Sequence, residues 1–208
     1  MSGVLLMSAA ACFWLTWALM PGVGVTDSRE IFALVGSQRQ MVMASVVLQL
    51  LSAVLYVPAL LGLVADRTLG DRRAMRWGAG ILIVGAMGSG ADAVLHLLAY
   101  AMTAPGVNQE LMIPVMTFMQ NEGLVLLAPM LAAFFIGGAW LAYALADAAV
   151  VPRWNGHLHL AALPVLAAGG ALAAAQLMSP RMAGLAFLGV VSAAQMFSGF
   201  GLLNRRRQ

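Results

Sequence analysis

Two proton-binding side chains, Asp92 and His96, lie within a long apolar stretch of the sequence. Residues four apart on a helix share one face, so the carboxylate and the imidazole are expected within hydrogen-bonding reach of each other. An acid inside a membrane span is costly unless it is paired or hydrated, and it commonly marks a functional site. The pair is interpreted either as a proton relay or substrate site, or as a clamp that only fixes helix packing.

The same face of this predicted helix carries small residues ahead of the acid. Gly85, Gly88 and Ser89 precede Asp92 by seven, four and three residues, which places them on one stripe with His96. Small residues let a neighbouring helix approach closely within a membrane. The stripe therefore predicts a tight helix contact that leads to a polar pair in the outer third of the bilayer.

A second polar line runs through the preceding apolar window. Its members follow one another at steps of four, three and four residues, which is helical periodicity: Ser45, Gln49, Ser52 and Tyr56. Ser192 and Gln195 share a face in the last apolar window. Lipid cannot satisfy the hydrogen bonds of these groups, so they must face protein or water. They indicate either a small hydrated cavity or polar contacts between helices, and contacts between helices are the simpler expectation.

Two further acids lie between the third and fourth apolar windows. Glu122 stands directly before the fourth window, where it is the other acid able to approach Asp92 and His96. Glu110 is a candidate for the rim of the same site. Together these residues would form an outward-facing pocket with an imidazole and more than one carboxylate.

Three methionines in the same stretch also share a helical face, since Met112, Met116 and Met119 are spaced by four and three residues. Thioether sulfur is a soft ligand that suits Cu(I), which makes them weak candidates for a metal site. Methionine also fills irregular packing surfaces. With 15 methionines in the chain, packing is the expected role, and no metal is predicted.

Histidine spacing does not predict a cofactor. His157 and His159 are two residues apart, so on a helix they point in different directions and a shared metal is not expected. A haem between histidines is a familiar arrangement, but His96 lies near the opposite end of the predicted bundle, roughly 25 Å away in level. A haem held by His96 and a methionine remains an alternative. Phosphate-binding loops, zinc-protease motifs and nucleophile elbows are absent from the sequence, so no catalytic residue is predicted and an enzyme is not expected.

Composition places the chain among membrane proteins. Its residues are 62% hydrophobic and 9% charged, whereas a soluble domain carries about 25% charged residues. The basic residues are a few loop arginines rather than a basic face, so nucleic acid is not an expected partner. Six windows reach the roughly 20 apolar residues that a span requires. They cover residues 3–20, 41–65, 77–101, 124–148, 158–178 and 182–203.

Arginine distribution predicts how these six spans are threaded, because flanking Lys and Arg are retained on the cytoplasmic face. Eight arginines fall on one side of the spans: Arg67, Arg72, Arg73, Arg76, Arg153, Arg205, Arg206 and Arg207. Three fall on the other side, Arg29, Arg39 and Arg181. We therefore expect an inner (plasma) membrane protein with both termini in the cytoplasm.

The expected fold is an all-α, polytopic membrane bundle of about six transmembrane helices, forming a single domain over residues 1–208. The two longer loops, 21–40 and 102–123, should face outward. Residues 109–120 form an apolar stretch that is too short to span, so a short interfacial or re-entrant helix is predicted within the second loop.

Two loop segments give the sequence a resemblance to the uncharacterised bacterial membrane families with six helices. They are the acidic loop after the first span, Asp27-Ser28-Arg29-Glu30, and the turn before the fifth, Val151-Pro152-Arg153-Trp154-Asn155-Gly156. The resemblance covers most of the chain. It implies a fold and a compartment, and no activity.

The leading functional expectation is a non-enzymatic accessory or scaffold subunit of a membrane assembly, since the loops are short and catalytic motifs are missing. Its partners would be the lipid bilayer and other membrane protein subunits. One alternative is a small proton-coupled transporter that uses Asp92 and His96. The other is a membrane redox subunit that binds haem or quinone.

Overall fold

The chain is helical throughout the part that the structure describes, residues 1–66, 68–69 and 72–205 of a computed structural model. Strands are absent from those residues. Six helices are long and apolar enough to cross a membrane, which fits a multi-pass membrane protein. The predicted all-α bundle of six spanning helices is thereby confirmed.

In chain order, the described residues form six long helices, two short helices and one π-helical turn. The three short elements lie at the same end of the bundle. They are α1 (Ser2–Leu19), α2 (Ser28–Ser37), α3 (Arg39–Ala65), α4 (Arg72–Met102), α5 (Gln109–Phe118), a π-helical turn (Met119–Gly123), α6 (Leu124–Asp147), α7 (Trp154–Ala174) and α8 (Pro180–Arg205). Helices α1, α3, α4, α6, α7 and α8 are the six that can span. The short helix predicted within 102–123 is present as α5.

Helix α7 differs most from the predicted span of residues 158–178. It begins at Trp154, two residues after Pro152, because a proline is readily accommodated just ahead of a helix. It ends at Ala174, where Gln176 adopts a φ of 59° and the Leu177 amide donates back to the Leu172 carbonyl. Such a left-handed residue closes a helix and is usually glycine, so a glutamine at this position does not indicate a helix end in advance.

The six long helices close into a ring. Helix α1 packs against α3 and α8, α4 packs between α3 and α6, and α7 packs between α6 and α8. Aromatic side chains fill the middle of the ring. Phe134 stacks on Phe13 with 4.5 Å between ring centroids and meets Tyr56 edge-on at 5.3 Å. Both distances lie in the range of favourable aromatic pairs, so the ring has a packed centre rather than an open pore.

Helices α4 and α6 approach each other through glycine, as the small-residue stripe predicted. A Cβ atom on Gly88 would stand 2.6 Å from Cβ of Met130, and Gly85 lies against the backbone of Phe134. The approach is mutual, because Gly137 of α6 lies against the backbone of Leu82. This contact fixes α4, the helix that carries Asp92 and His96.

One end of the ring, called the capped end here, is covered by α2 and α5. The other, called the terminal end, holds the start of α1 and the end of α8. Helix α2 was not predicted, although its start is a capping arrangement in which Asp27 accepts from the Glu30 amide at 2.9 Å. Its Ser28 bonds Thr117 at 2.9 Å, and Arg29 pairs with Glu110 at 2.6 Å. Polar contacts therefore join α2 to α5 across the capped end.

Candidate functional site: a buried carboxylate on the wall of an apolar cavity

Asp92 and His96 are linked through the amide of Gln49. Gln49 Nε2 donates to Asp92 Oδ2 at 2.8 Å, and Gln49 Oε1 lies 3.0 Å from His96 Nδ1. The carboxylate and imidazole themselves are 3.9 Å apart, beyond a direct hydrogen bond. The predicted stripe places both groups on one face of α4, but α3 supplies the group that joins them.

The directions of the hydrogen bonds in this triad determine which ring nitrogen of His96 carries a hydrogen. The carboxylate accepts from Gln49 Nε2, which turns Gln49 Oε1 toward the imidazole. An amide oxygen can only accept, so Nδ1 of His96 carries the hydrogen.

The three side chains of the triad are largely buried, which makes a charge on Asp92 or His96 costly in free energy. Gln49 is fully buried, Asp92 is 5% exposed and the His96 side chain is 22% exposed. Trp17 packs edge-on against the His96 ring with 5.7 Å between centroids. A charge in such surroundings costs free energy unless an opposite charge or several hydrogen bonds accompany it.

Two members of the triad, Asp92 and His96, line a cavity of about 240 Å³ at the capped end, called the cap cavity here. Asp92 and His96 are the ionisable groups among the described residues that line it, and Gln120 is a further polar one. Most of the remaining lining is apolar: Trp17, Met20, Val23, Val25, Ile31, Val35, Val42, Leu95, Ala99, Met116, Met119 and Leu124. An apolar cavity with a few convergent polar groups is the usual form of a small-molecule site.

Two short segments cover the cap cavity and together are called its roof here. Helix α2 contributes Ile31 and Val35, and the segment from α5 into the π-helical turn contributes Met116, Met119 and Gln120. Single π-helical turns within α-helices occur frequently at functional sites. The roof is held by hydrogen bonds of the buried Ser28 hydroxyl and by the exposed contact between Arg29 and Glu110.

The other two acids proposed for the pocket lie elsewhere. Glu110 is exposed at the start of α5, where it accepts a hydrogen bond from Arg29 and its charge adds to the attraction; both effects raise the pKa of Arg29. Glu122 is exposed in the π-helical turn and is not among the residues that line the cap cavity. The structure thus brings Asp92 and His96 together with Gln49, and not with these glutamates.

The candidate methionines are divided between cavity and packing. Met116 and Met119 line the cap cavity, and Met112 packs beside them against the buried residues under α2 and α5. Among the described residues, no three side chains of His, Cys, Asp or Glu are grouped as metal ligands. A soft-metal role for the methionines stays a prediction.

The polar line on α3 has two different roles. Ser45 donates to the Thr16 carbonyl and Ser52 to the Ala9 carbonyl, each at 2.8 Å, so these two join α3 to the backbone of α1. Gln49 belongs to the triad, and Tyr56 donates to Gln195 Oε1 on α8. Ser45 and Ser52 thus bond to the backbone of a neighbouring helix, whereas Gln49 and Tyr56 bond to buried side chains of other helices.

A second buried polar group of residues lies toward the terminal end, and it was not assembled from the sequence. It comprises Asn155 and His159 on α7 with Ser192, Gln195 and Ser198 on α8. Their spacings, four residues on α7 and three on α8, already indicate shared faces. His157, in contrast, lies at the surface and bonds the Tyr143 hydroxyl at 3.0 Å, so the two neighbouring histidines do point in different directions.

Comparison with known proteins identifies no relative from which a function could be inferred. No protein-family model matches the chain, and no curated protein or solved structure is significantly similar to it.

Proposed function

We propose that the chain is a small proton-coupled membrane transporter in which Asp92 binds either a proton or the cationic head of a small apolar substrate. The observation that carries the proposal is the position of Asp92, a buried carboxylate on the wall of a largely apolar cavity. Its polar neighbours there, Gln49 and His96, hold it by one amide hydrogen bond and a histidine 3.9 Å away.

Competition at one carboxylate provides the coupling. An ionised acid in an apolar site costs free energy unless a positive charge accompanies it. A proton and a singly charged organic cation each supply one positive charge, so either can neutralise Asp92. The two cannot occupy the same oxygens together. Binding of one therefore weakens binding of the other by the same factor, which is the requirement for exchange transport.

The lining of the cap cavity favours an apolar body on the substrate. Trp17 supplies an aromatic ring close to His96, and rings of this kind attract cations through their faces. Met116 and Met119 supply flexible side chains that adapt to ligands of different shapes. A small aromatic ammonium ion would combine burial of its ring with pairing of its charge to Asp92.

We propose that the roof opens further when the substrate enters, and the contacts that hold it suit that role. The Arg29–Glu110 pair is exposed, and exposed ion pairs contribute little to stability. Ser28 holds α2 to Thr117 and Gln120 by hydrogen bonds of 2.9 and 3.0 Å. We propose that α2 swings away from α5 when the substrate enters.

We further propose that the protein lies in the plasma membrane with both termini in the cytoplasm, so that the cap cavity faces outward. The support is the excess of arginine at the terminal end, which includes Arg73, Arg76, Arg153 and Arg205 among the described residues. Four more from the sequence count, Arg67, Arg72, Arg206 and Arg207, lie outside the residues whose side chains are described. Reporter fusions after Arg76 should report the cytoplasm and fusions after Gly106 the outside; the reverse result would contradict this orientation.

The accessory-subunit hypothesis and the haem or quinone hypothesis stay predictions. An accessory role is favoured by the short loops, and the wide apolar surface of the long helices suits lipid and partner subunits alike. An optical spectrum of the purified protein tests the haem hypothesis directly, because bound haem gives a Soret band. Such a band would replace transport by redox chemistry as the leading proposal.

Binding of benzyltrimethylammonium to the purified protein in detergent tests the proposed site, with the intrinsic fluorescence of the five tryptophans as the signal; among them, Trp17 lines the cap cavity. We expect saturable binding to the wild type, and at least tenfold weaker binding to Asp92→Asn, whose amide keeps the size of the acid and not its charge. Asp147→Asn is the matched control, because Asp147 is an exposed acid at the opposite end of the bundle. Equal affinity for the neutral isostere neopentylbenzene, or unchanged affinity in Asp92→Asn, would contradict the proposal.

A further inference from the structure

A groove of about 530 Å³ lies on an outward face of α4 and begins at the terminal end of the bundle. Its lining residues follow one another at helical spacing, which places them on one face, and five of the six are exposed. They are Arg73, Arg76, Trp77, Gly80, Ile81 and Val84. In a multi-pass membrane protein such a face meets lipid, and the groove is called the α4 groove below.

Two positive charges lie together at the start of the α4 groove. Arg73 and Arg76 are three residues apart in the first two turns of α4, so they are neighbours on the helix surface, where like charges repel. The macrodipole is positive at this end of the helix, and the sequence of the first turn contains no acid. An anion bound beside the two guanidinium groups would offset both unfavourable effects.

Arg76 is the clearer of the two as a ligand-binding group. It is exposed, and its side chain has no hydrogen bond or ion pair with another residue that the structure describes. A guanidinium group carries five N–H donors in a planar fork that matches the oxygens of a phosphate. Arg76 therefore has donors available for a phosphate at the mouth of the groove.

The rest of the α4 groove is apolar. Trp77 is 57% exposed beside the arginines, and tryptophan is enriched where a membrane span meets the headgroups. Gly80 leaves a notch one turn further along, because a Cβ atom there would have no atom of another described element within 4 Å. Ile81 and Val84 continue the lining toward the middle of the span. The groove thus passes from charged through aromatic to aliphatic surface.

The length of the groove matches one leaflet of a bilayer. Arg76 and Val84 are eight residues apart, or about 12 Å along the helix, and half of the hydrocarbon core is roughly 15 Å thick. A lipid phosphate at the level of Arg76 would therefore place an acyl chain beside Gly80 and Val84. Small residues let a neighbouring surface approach closely within a membrane, and close van der Waals packing is what distinguishes one apolar contact from another there.

Charge and length together favour a phospholipid over other occupants. An apolar helix of a partner subunit or of a second copy would cover the guanidinium groups without neutralising them, and burying an unpaired charge is costly. A small soluble anion would leave the notch at Gly80 and the aliphatic lining unused. A lipid that joins a negative phosphate to acyl chains uses both ends of the groove.

We infer that the α4 groove binds one anionic phospholipid, with its phosphate at Arg73 and Arg76 and one acyl chain in the notch at Gly80. Each basic residue near an anionic membrane surface strengthens the attraction about fivefold. Arg76 and Asp92 are sixteen residues apart, or roughly 24 Å along α4. The groove is thus separate from the cap cavity, and lipid binding there does not require the proposed transport.

Native mass spectrometry of the purified protein tests the charged end of the groove. Dioleoylphosphatidylglycerol and dioleoylphosphatidylcholine share their acyl chains and differ in net charge. We expect the wild type to retain phosphatidylglycerol at least tenfold more strongly, and Arg76→Gln to lower that preference about fivefold. Arg153→Gln is the matched control, because Arg153 is an exposed arginine at the same end that pairs with Asp147 and lies outside the groove. It should leave the preference unchanged.

Filling the notch tests the apolar end. Gly80→Leu keeps both arginines and should weaken retention of phosphatidylglycerol at least fivefold, while α4 stays helical because leucine favours helix more than glycine does. Gly170→Leu is the control, since Gly170 is an exposed glycine of α7 whose Cβ would likewise have open space. Melting temperatures in detergent show that each variant is folded.

Photolabelling locates the lipid in the wild type and so does not depend on the folding of any variant. Phosphatidylglycerol with a diazirine in one acyl chain should label α4 between Trp77 and Val84. Labelling that avoids this segment would overturn the inference. So would equal retention of the two lipids by the wild type, or an unchanged preference in folded Arg76→Gln.

Two further results would assign the groove to another occupant and likewise overturn the inference. Displacement of the lipid by an equal concentration of glycerol 3-phosphate, which has the charge without the chains, would identify a soluble anion. A dimer that dissociates in Gly80→Leu, with lipid retention unchanged, would identify a second copy of the chain.

Discussion

Gln49 donates to Asp92 across the contact between α3 and α4, with 2.8 Å between Nε2 and Oδ2. The same amide accepts from His96 at 3.0 Å, so one neutral side chain links the acid to the base. The carboxylate and the imidazole are therefore connected through Gln49 without direct contact between the two. Gln49 is a positioning residue whose removal should affect both partners together.

Replacement of Gln49 by leucine should destabilise the protein by about 2–4 kcal/mol, because it leaves a buried carboxylate and an imidazole without their shared partner. The measurement is reversible unfolding in detergent with increasing denaturant. Ser45→Ala provides the comparison, since Ser45 lies four residues before Gln49 on α3 and its replacement removes one hydrogen bond to the Thr16 carbonyl of α1. Polar contacts in membrane bundles are worth about 0.6 kcal/mol on average, so Ser45→Ala should cost far less. Equal losses would show that Gln49 only joins helices.

The glycines on α4 should differ sharply in their tolerance of a methyl group. A Cβ on Gly78 would stand 2.8 Å from the backbone nitrogen of Leu141, whereas the corresponding position on Gly80 has no atom within 4 Å. Gly78→Ala should therefore destabilise the protein by about 1–3 kcal/mol through overpacking. Gly80→Ala should be neutral or stabilising by up to about 1 kcal/mol. Thermal unfolding of both variants measures the difference, and similar melting temperatures would contradict the described α4–α6 contact.

A covalent link across the roof should close the cap cavity. Ser28 and Thr117 face each other with 2.9 Å between their hydroxyl oxygens, which makes the pair Ser28→Cys and Thr117→Cys suitable for cross-linking. Cys12, the sole native cysteine, is first replaced by alanine. Under oxidation, association of benzyltrimethylammonium should slow at least tenfold, and reduction should restore the rate. The two single-cysteine variants serve as controls. Unchanged association in the cross-linked protein would show that the ligand enters by another route.

Helical periodicity was enough to predict one half of the site. The stripe from Gly85 to His96 depends only on the period of 3.6 residues, so its small residues meet α6 and its polar pair shares one cavity wall. The direct hydrogen bond expected between Asp92 and His96 is absent, because the two groups are 3.9 Å apart. The bridging role of Gln49 could not be predicted, because it depends on the relative height and rotation of α3 and α4. Glu122 was grouped with Asp92 by its level alone, and the structure leaves it exposed in the π-helical turn.

Helix α2 and the group of buried polar residues between α7 and α8 could not be predicted, for a different reason. Helix α2 lies within the predicted loop 21–40, although Asp27 and Glu30 form a capping pattern at its start, because its ten residues are too few for a membrane span. The face of α7 that meets Gln195 became clear only once the ring order of the helices was known. Contacts between residues distant in sequence set both features, as in the pair formed by Arg29 and Glu110.

Calorimetry of benzyltrimethylammonium binding in buffers of different ionisation enthalpy tests the central claim most directly, because it counts the protons released when the ligand binds. Where Asp92 starts protonated, the wild type should release close to one proton per ligand, and affinity should rise with pH because fewer protons compete for the carboxylate. Asp92→Asn should remain folded, release no proton and bind weakly at every pH. Binding by the wild type without proton release, and with an affinity independent of pH, would contradict the account.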